Sequence, residues 1–204
     1  MVRSFRLLPV LSLISLVFFN TLNTWFAAPS NCVRQSTNLN YSSSLGGVDP
    51  ADVTSFDEFS NFLLLSSKGG PYRIHEIQVS MLFSRPTFVS SFPNLLSTAS
   101  YNDGIRIELG SSNSGALLIG SGRKDGTFDA VPFTLSGSDF EYIEFSIIFG
   151  DSELEIRMLL NNTSLAVTLP IRSIELDNLV VANGFDGTRP FAGDLFVFLG
   201  AQSC

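Results

Sequence analysis

The sequence is poor in the residues from which common catalytic and metal sites are built. Among its 204 residues are one histidine, two cysteines and one tryptophan. A metal site with several histidine ligands is therefore excluded, and a Ser-His-Asp triad would depend on His75 alone. His75 begins a predicted strand with no nucleophile motif beside it, so we interpret it as a structural or surface residue.

Basic residues are also scarce, and they form no cluster. The chain has 12 Lys and Arg residues against 19 Asp and Glu residues, which gives a formal net charge of −7. An acidic surface repels nucleic acid and anionic lipid headgroups. We therefore predict that neither is a partner.

The N-terminus has the pattern of a secretory signal peptide over residues 1–30. Arg3 and Arg6 precede an apolar run at 7–19, and small residues follow at 27–30. We expect a secreted, extracellular protein with no stable membrane insertion after cleavage. Cleavage removes two basic residues and no acid, so the formal net charge becomes −9.

The cleavage site has two candidates. Cleavage after Ala28 would leave Phe26 at the minus-three position, where a small residue is preferred, so we favour cleavage after Ser30. The alternative is an uncleaved membrane anchor. Polar residues at 20–24 interrupt the apolar run before it reaches the ~20 residues that a membrane span needs.

The two cysteines, Cys32 and Cys204, lie at opposite ends of the mature chain. In an oxidising compartment such a pair is expected to form one disulfide. Two free thiols, or thiols paired with another molecule, are the alternative.

Alternating apolar and polar residues predict antiparallel strands throughout the mature chain. Residues 31–47 are polar and are predicted to be an extended lead-in, and 48–204 a single domain. In DGIRIELG, the side chains of Ile105, Ile107 and Leu109 share one face, and the residues between them share the other. The same alternation occurs in HEIQVSMLF, EYIEFSIIFG and SELEIRMLLN. Turn signals recur at roughly the 8–12-residue spacing of a β-sandwich. At most a short helical turn is expected, within residues 52–65.

Over residues 70–200 the chain resembles the laminin G-like domains of the concanavalin A-like jelly-roll superfamily, which includes thrombospondin N-terminal-like domains. The similar segments are EIQVSMLFSRP, IRIELGSSNSGALLIG, EYIEFSIIFGDSELEIRMLLNN and LDNLVVANGFDGTRPFAGDLFVFLG. The most specific of them is the closing strand that begins at Pro190-Phe191-Ala192-Gly193. No Trp-His pair precedes EYIEFSI, which departs from the family pattern. The resemblance implies an all-β, antiparallel jelly-roll sandwich whose termini lie close together, so that Cys32 and Cys204 can meet.

The resemblance also implies a ligand site at the rim of the sandwich. Family members often bind calcium there beside a glycan, and loop Asx residues supply the oxygen ligands that calcium prefers. Ordinary tight turns contain the same Asx-Gly pairs, so a turn without a metal is the alternative. We predict Asp103 and Asp186 as metal ligands. The predicted ligand-binding residues are Tyr101, Asn102, Asp103, Asp186 and Arg189.

A row of acids provides the competing, catalytic hypothesis. Asp151, Glu153 and Glu155 alternate along one strand, roughly 6–7 Å apart, which is within the range of paired glycosidase carboxylates. The motif lacks the central Asp of the superfamily's glycoside hydrolases, and Arg157 follows it. We therefore predict a solvated face and no catalytic residues.

The resulting prediction is a secreted, non-catalytic module that binds a glycan or an extracellular protein, with calcium as a candidate cofactor. A glycoside hydrolase that uses Glu153 and Glu155 is one alternative, and a structural assembly module is another. Acceptor triplets for N-glycosylation begin at Asn40, Asn161 and Asn162.

Overall fold

The fold is taken from a computed structural model. It describes residues 32–42, 47–48, 57–59, 61–62, 74–85, 92–98, 103–110, 113–121, 128–150, 153–161, 163–170, 174, 176, 179–184 and 188–204. The chain divides into two compact units, Met1–Cys32 and Val33–Cys204. The predicted signal peptide lies outside the described residues. In the described ranges no helix is long and apolar enough to cross a membrane.

The second unit is built almost entirely of β-strands, as the alternating sequence predicts. Residues 57–59 and 61–62 are helical, within the segment where a short turn of helix was expected. The strands are β1 (Val33–Ser42), β2 (Gly47–Val48), β3 (Ile74–Ser84), β4 (Asn94–Thr98), β5 (Asp103–Leu109), β6 (Ser114–Ser121), β7 (Phe128–Thr134), β8 (Phe140–Phe149), β9 (Glu153–Leu160), β10 (Thr163–Pro170), β11 (Leu179–Val181) and β12 (Asp194–Ser203).

These strands form two antiparallel sheets. The seven-stranded sheet has the order β10-β9-β8-β3-β12-β1-β2, and the five-stranded sheet has the order β11-β4-β5-β6-β7. Sequence neighbours such as β8, β9 and β10 form meanders, whereas β12 inserts between β1 and β3 from the other end of the chain. The predicted antiparallel jelly-roll β-sandwich is confirmed.

The core lies between the two sheets, where one face of each strand is apolar. Phe145 of β8 and Phe133 of β7 are both buried, and their ring centroids lie 6.2 Å apart. Burying two aromatic side chains from opposite sheets stabilises the sandwich by several kcal/mol, at roughly 1.5–3 kcal/mol per ring. Phe59, from the helical residues 57–59, joins the same core and is 1% exposed.

The polar segment predicted as a lead-in supplies a strand of the seven-stranded sheet. β1 pairs with β12 along its whole length, from Val33 opposite Ser203 to Ser42 opposite Asp194. This register brings the two ends of the sandwich together. Both cysteines are oxidised, and the disulfide joins Cys32 to Cys204, as the sequence predicts.

Candidate functional site

A cluster of polar side chains lies on the outer face of the five-stranded sheet, the face turned away from the core. On β5, Arg106 and Glu108 alternate with the core residues, and β4 pairs Ser97 with Arg106 and Asn94 with Glu108. Directly paired residues in antiparallel strands project on the same side of the sheet. The four side chains are therefore neighbours.

A fifth polar side chain reaches this cluster from the loop between β11 and β12. The Arg189 guanidinium donates a hydrogen bond from Nη1 to Glu108 Oε2. Arg106 Nη1 lies 4.0 Å from the same oxygen. The side chains of Arg189, Glu108 and Arg106 are 36%, 18% and 8% exposed, so solvent reaches the cluster from the Arg189 side.

Arg106 is further held by an aromatic ring of β7. Its guanidinium carbon lies 4.9 Å from the centroid of the Phe128 ring, which is the geometry of a cation–π contact. Phe128 pairs with Gly120, and Gly120 pairs with Gly104, so neither of these two positions places a side chain between the ring and Arg106. The ring is therefore free to pack against Arg106.

Asn94 contributes the least satisfied group of the cluster. Its side chain is fully buried, and in the part of the chain that the structure describes neither Oδ1 nor Nδ2 has a hydrogen-bond partner. A buried polar group without a partner costs about 1–3 kcal/mol. Such groups are rare in folded proteins and indicate a strained site or one that awaits a partner.

The loop that carries Arg189 is fixed by side-chain and backbone hydrogen bonds. Asn183 Oδ1 accepts the N–H groups of Gly184 at 2.8 Å and of Arg189 at 3.1 Å. The Asn183 carbonyl accepts the Ser97 hydroxyl at 3.1 Å, and the Arg189 carbonyl accepts the Asn94 N–H at 3.1 Å. The backbone of Arg189 is therefore fixed on both sides, which directs its guanidinium to Glu108.

Backbone strain occurs at the start of this loop. Ala182 is 3% exposed and has a φ of +59°, a left-handed conformation that costs an alanine about 1 kcal/mol. Two hydrogen bonds maintain it, from Ala182 N–H to the Leu95 carbonyl at 3.0 Å and from Phe191 N–H to the Ala182 carbonyl at 2.9 Å. Strain of this kind is concentrated at functional sites.

Replacement of Asn183 by alanine should loosen this loop, because both bonds to Oδ1 are lost. We expect a loss of about 1–2 kcal/mol in the free energy of unfolding and faster hydrogen exchange at the Arg189 amide. Asn183→Asp keeps the acceptor and is the control. Equal exchange rates in the alanine variant and the wild type would contradict a positioning role for Asn183.

The predicted site residues are only partly brought together. Arg189 belongs to the cluster, whereas Asp103 begins β5 and lies five residues from Glu108, about 17 Å along the strand. Tyr101, Asn102 and Asp186 lie outside the described residues, as does the side chain of Asp103. Among the described side chains no three His, Cys, Asp or Glu residues are close enough to hold a metal ion.

The acids proposed for catalysis lie on the outer face of the other sheet. Glu153 and Glu155 are on β9, and Asp151 lies outside the described residues. Arg157 Nε donates to Glu155 Oε1 at 2.7 Å. This bond, aided by the charge of Arg157, outweighs desolvation and lowers the pKa of Glu155. A general acid in glycoside hydrolysis needs a raised pKa, so the electrostatics disfavour that role for Glu155.

The central part of that outer face contains a second polar network. Gln78 Nε2 donates to Glu144 Oε1 at 3.1 Å, and the Tyr142 hydroxyl donates to Glu144 Oε2 at 2.7 Å. Burial, followed by the hydrogen bond and the charge of Glu144, raises the pKa of Tyr142. Both oxygens of Glu144 are bonded within the sheet, so this network stabilises the fold.

Two glycosylation candidates lie in described strands or turns. Asn40 is exposed on β1. Asn161, in the turn after β9, donates from Nδ2 to Glu141 Oε2 at 2.5 Å, and Nδ2 is the atom that a glycan would modify. Asn162 lies outside the described residues. Glycosylation at all three stays a prediction.

The residues missed by the sequence analysis are Asn94, Arg106, Glu108 and Phe128. Alternation correctly placed Arg106 and Glu108 on the face away from the core, but it did not indicate that both side chains are largely buried there. No local pattern links Glu108 to Arg189, 81 residues later.

No protein-family model matches the sequence, and no curated protein matches it. Solved structures with a similar fold include the receptor-binding domain of botulinum neurotoxin mosaic serotype C/D, with a TM-score of 0.47, 11% identity and coverage of 84% of this chain and 42% of that one. Another is the CBM40 of Ruminococcus gnavus IT-sialidase bound to alpha2,6 sialyllactose. Its TM-score is 0.46, its sequence identity is 10%, and the match covers 82% of this chain and 90% of that one. The chain thus spans less than half the length of the toxin domain. At TM-scores below 0.5 these similarities assign neither a ligand nor a site.

Proposed function

We propose that this chain is a secreted, non-catalytic module that binds a glycan through the outer face of its five-stranded sheet. The supporting observation is the cluster of Asn94, Arg106, Glu108 and Arg189 on a face that does not pack in the core. Its Asn94 amide is fully buried and lacks a partner among the described groups. An extracellular protein is the alternative ligand.

The chemistry of these side chains suits the hydroxyl groups of a saccharide. Each sugar hydroxyl both donates and accepts hydrogen bonds, and guanidinium, amide and carboxylate groups together provide both functions. The Phe128 ring beside Arg106 adds an apolar surface. A few convergent polar groups next to an aromatic ring are typical of ligand sites.

The same composition argues against hydrolysis at this site. Glycoside hydrolysis usually needs two carboxylates that flank the scissile bond. Within the described residues, the cluster contains one carboxylate, Glu108, and Arg189 is paired with it. A binding role therefore fits the site better than a catalytic one.

Replacement of Arg189 by glutamine should weaken glycan binding about tenfold or more, because it removes the most exposed cation of the cluster. Binding of the full-length chain, purified after secretion, to an immobilised glycan panel is the measurement. The control is Arg157→Gln, which breaks a comparable Arg–Glu pair on the other sheet and should leave binding unchanged. If no glycan binds the wild type, or both variants lose binding equally, the proposed function is wrong.

The resemblance to laminin G-like domains adds calcium to the proposal, with Asp103 and Asp186 as its ligands. Millimolar calcium should then raise the melting temperature by several degrees relative to chelator, since a ligand that binds only the folded state stabilises it. Asp103→Asn together with Asp186→Asn should abolish the rise. The absence of any rise in the wild type would remove calcium from the proposal and leave the Arg189 cluster unaffected.

A further inference from the structure

We propose that the cluster on the five-stranded sheet binds an anionic group of its ligand, a carboxylate or a sulfate, which replaces Glu108 at Arg189. This inference rests on the proposed function and specifies the ligand class of the same site. Glu108 occupies the position that the ligand anion would take, with one of its oxygens next to both guanidinium groups.

Two arginine side chains meet at this face although the protein as a whole is acidic. The chain has 12 basic residues against 19 acids, yet two arginines meet at this face with one described carboxylate between them. Arginine presents a planar fork of N–H donors that matches carboxylate and sulfate oxygens. The two guanidinium groups together therefore supply the donors and the charge that an incoming anion needs.

The accessibility of the three charged groups indicates how the exchange proceeds. Arg189 is the most exposed of them and is held to Glu108 by a single hydrogen bond, so an anion meets Arg189 first. Exchange of one anion for another keeps the Arg189 guanidinium paired, and Arg189 is the more exposed partner of its ion pair. Arg106 stays in place because it packs over Phe128.

The same exchange would give the buried Asn94 amide a hydrogen-bond partner. The amide is fully buried and lies opposite Glu108 in the strand register, and the proposed exchange brings the ligand anion to the position that the Glu108 carboxylate leaves. Once there, the anion can accept a hydrogen bond from Nδ2, which has no partner among the described residues. The buried amide would thereby gain the bond that it lacks.

The experiment compares matched charged and neutral probes on the full-length chain. The side-chain Nε–H signals of Arg189 and Arg106 are followed by NMR during titration with sodium glucuronate, sodium sulfate and methyl glucoside. Sodium chloride at the same ionic strength corrects for screening. We expect saturable shifts with glucuronate and sulfate and none with methyl glucoside.

Two variants test the exchange itself. Glu108→Gln removes the internal competitor and should tighten glucuronate binding about three- to tenfold, whereas Arg189→Gln should abolish it. If Glu108→Gln fails to fold, the wild-type titration alone decides. Equal shifts with glucuronate and methyl glucoside would overturn the anion inference and leave glycan binding intact. No saturable shift with either anion would also overturn it, while the glycan panel tests the proposed function separately.

Discussion

Replacement of both Cys32 and Cys204 by serine is expected to lower the free energy of unfolding by about 3–5 kcal/mol. The disulfide closes a loop that contains the whole sandwich, and the chain-entropy estimate for ~170 residues is about 5 kcal/mol, an upper bound. Urea denaturation of the secreted full-length chain measures the loss as a lower midpoint. Because β1 and β12 pair next to the bond, exchange at the Val33 and Ser203 amides should also become faster.

Chemical reduction provides the control for this substitution. Cys204 is exposed, so a reductant reaches the bond in the folded protein. Reduced wild type and the double-serine variant should unfold at the same urea concentration. If the double-serine variant is within about 0.5 kcal/mol of the oxidised wild type, the terminal disulfide does not stabilise the sandwich.

The loop that carries Arg189 leads into β12 at Asp194, at the end of the strand opposite the disulfide. The first residue of β12, Asp194, donates its N–H to the Ser84 hydroxyl at 2.8 Å and accepts the Ser42 hydroxyl at Oδ1 at 2.7 Å. These bonds fix the C-terminal end of the loop to β3 and β1. The support of Arg189 therefore depends on these bonds more than on the disulfide, and loss of the disulfide should act mainly on the fold.

The sequence predicted most strands because their two faces have different surroundings. On β8 and β9 every second side chain is buried, so period-two alternation was visible. β4 was not predicted, because all five of its residues are buried and a bulge between Asn94 and Leu96 interrupts the pairing. A strand without alternation has no period-two signal.

The candidate site was less predictable than the fold, for a physical reason. Arg106 packs against Phe128 and Glu108 bonds to Arg189, and only the folded chain brings these distant parts of the sequence together. Periodicity indicates the face of the strand on which a side chain lies, but it does not indicate which other residues cover that face. Arg189 was named because the resemblance directed attention to its loop, and its partner Glu108 emerged only from the structure.

Glu141, the second residue of β8, is a buried carboxylate that organises the preceding turn. It is 1% exposed and accepts the N–H groups of Ser136, Gly137 and Ser138 at 2.7–3.1 Å, together with the Ser136 hydroxyl. Burial alone would raise the pKa of Glu141. The hydrogen bonds from Asn161, Ser136 and Gly137 outweigh burial and hold this pKa below its ordinary value of 4.5.

Replacement of Glu141 by glutamine should therefore destabilise the protein by about 2–4 kcal/mol at neutral pH, since charge-assisted bonds are lost and an amide NH₂ faces backbone donors. Because the folded pKa lies below the unfolded one, the wild type has its full advantage above the ordinary carboxyl pKa. The advantage disappears as the pH falls through the folded value.

Urea denaturation of both proteins across this acidic range measures the difference. Glu155→Gln is the control, because its carboxylate also has a lowered pKa but is 42% exposed and pairs with an exposed arginine, so a much smaller change is expected. A difference between wild type and Glu141→Gln that grew on acidification would show that the Glu141 carboxylate is not stabilised in its ionised form.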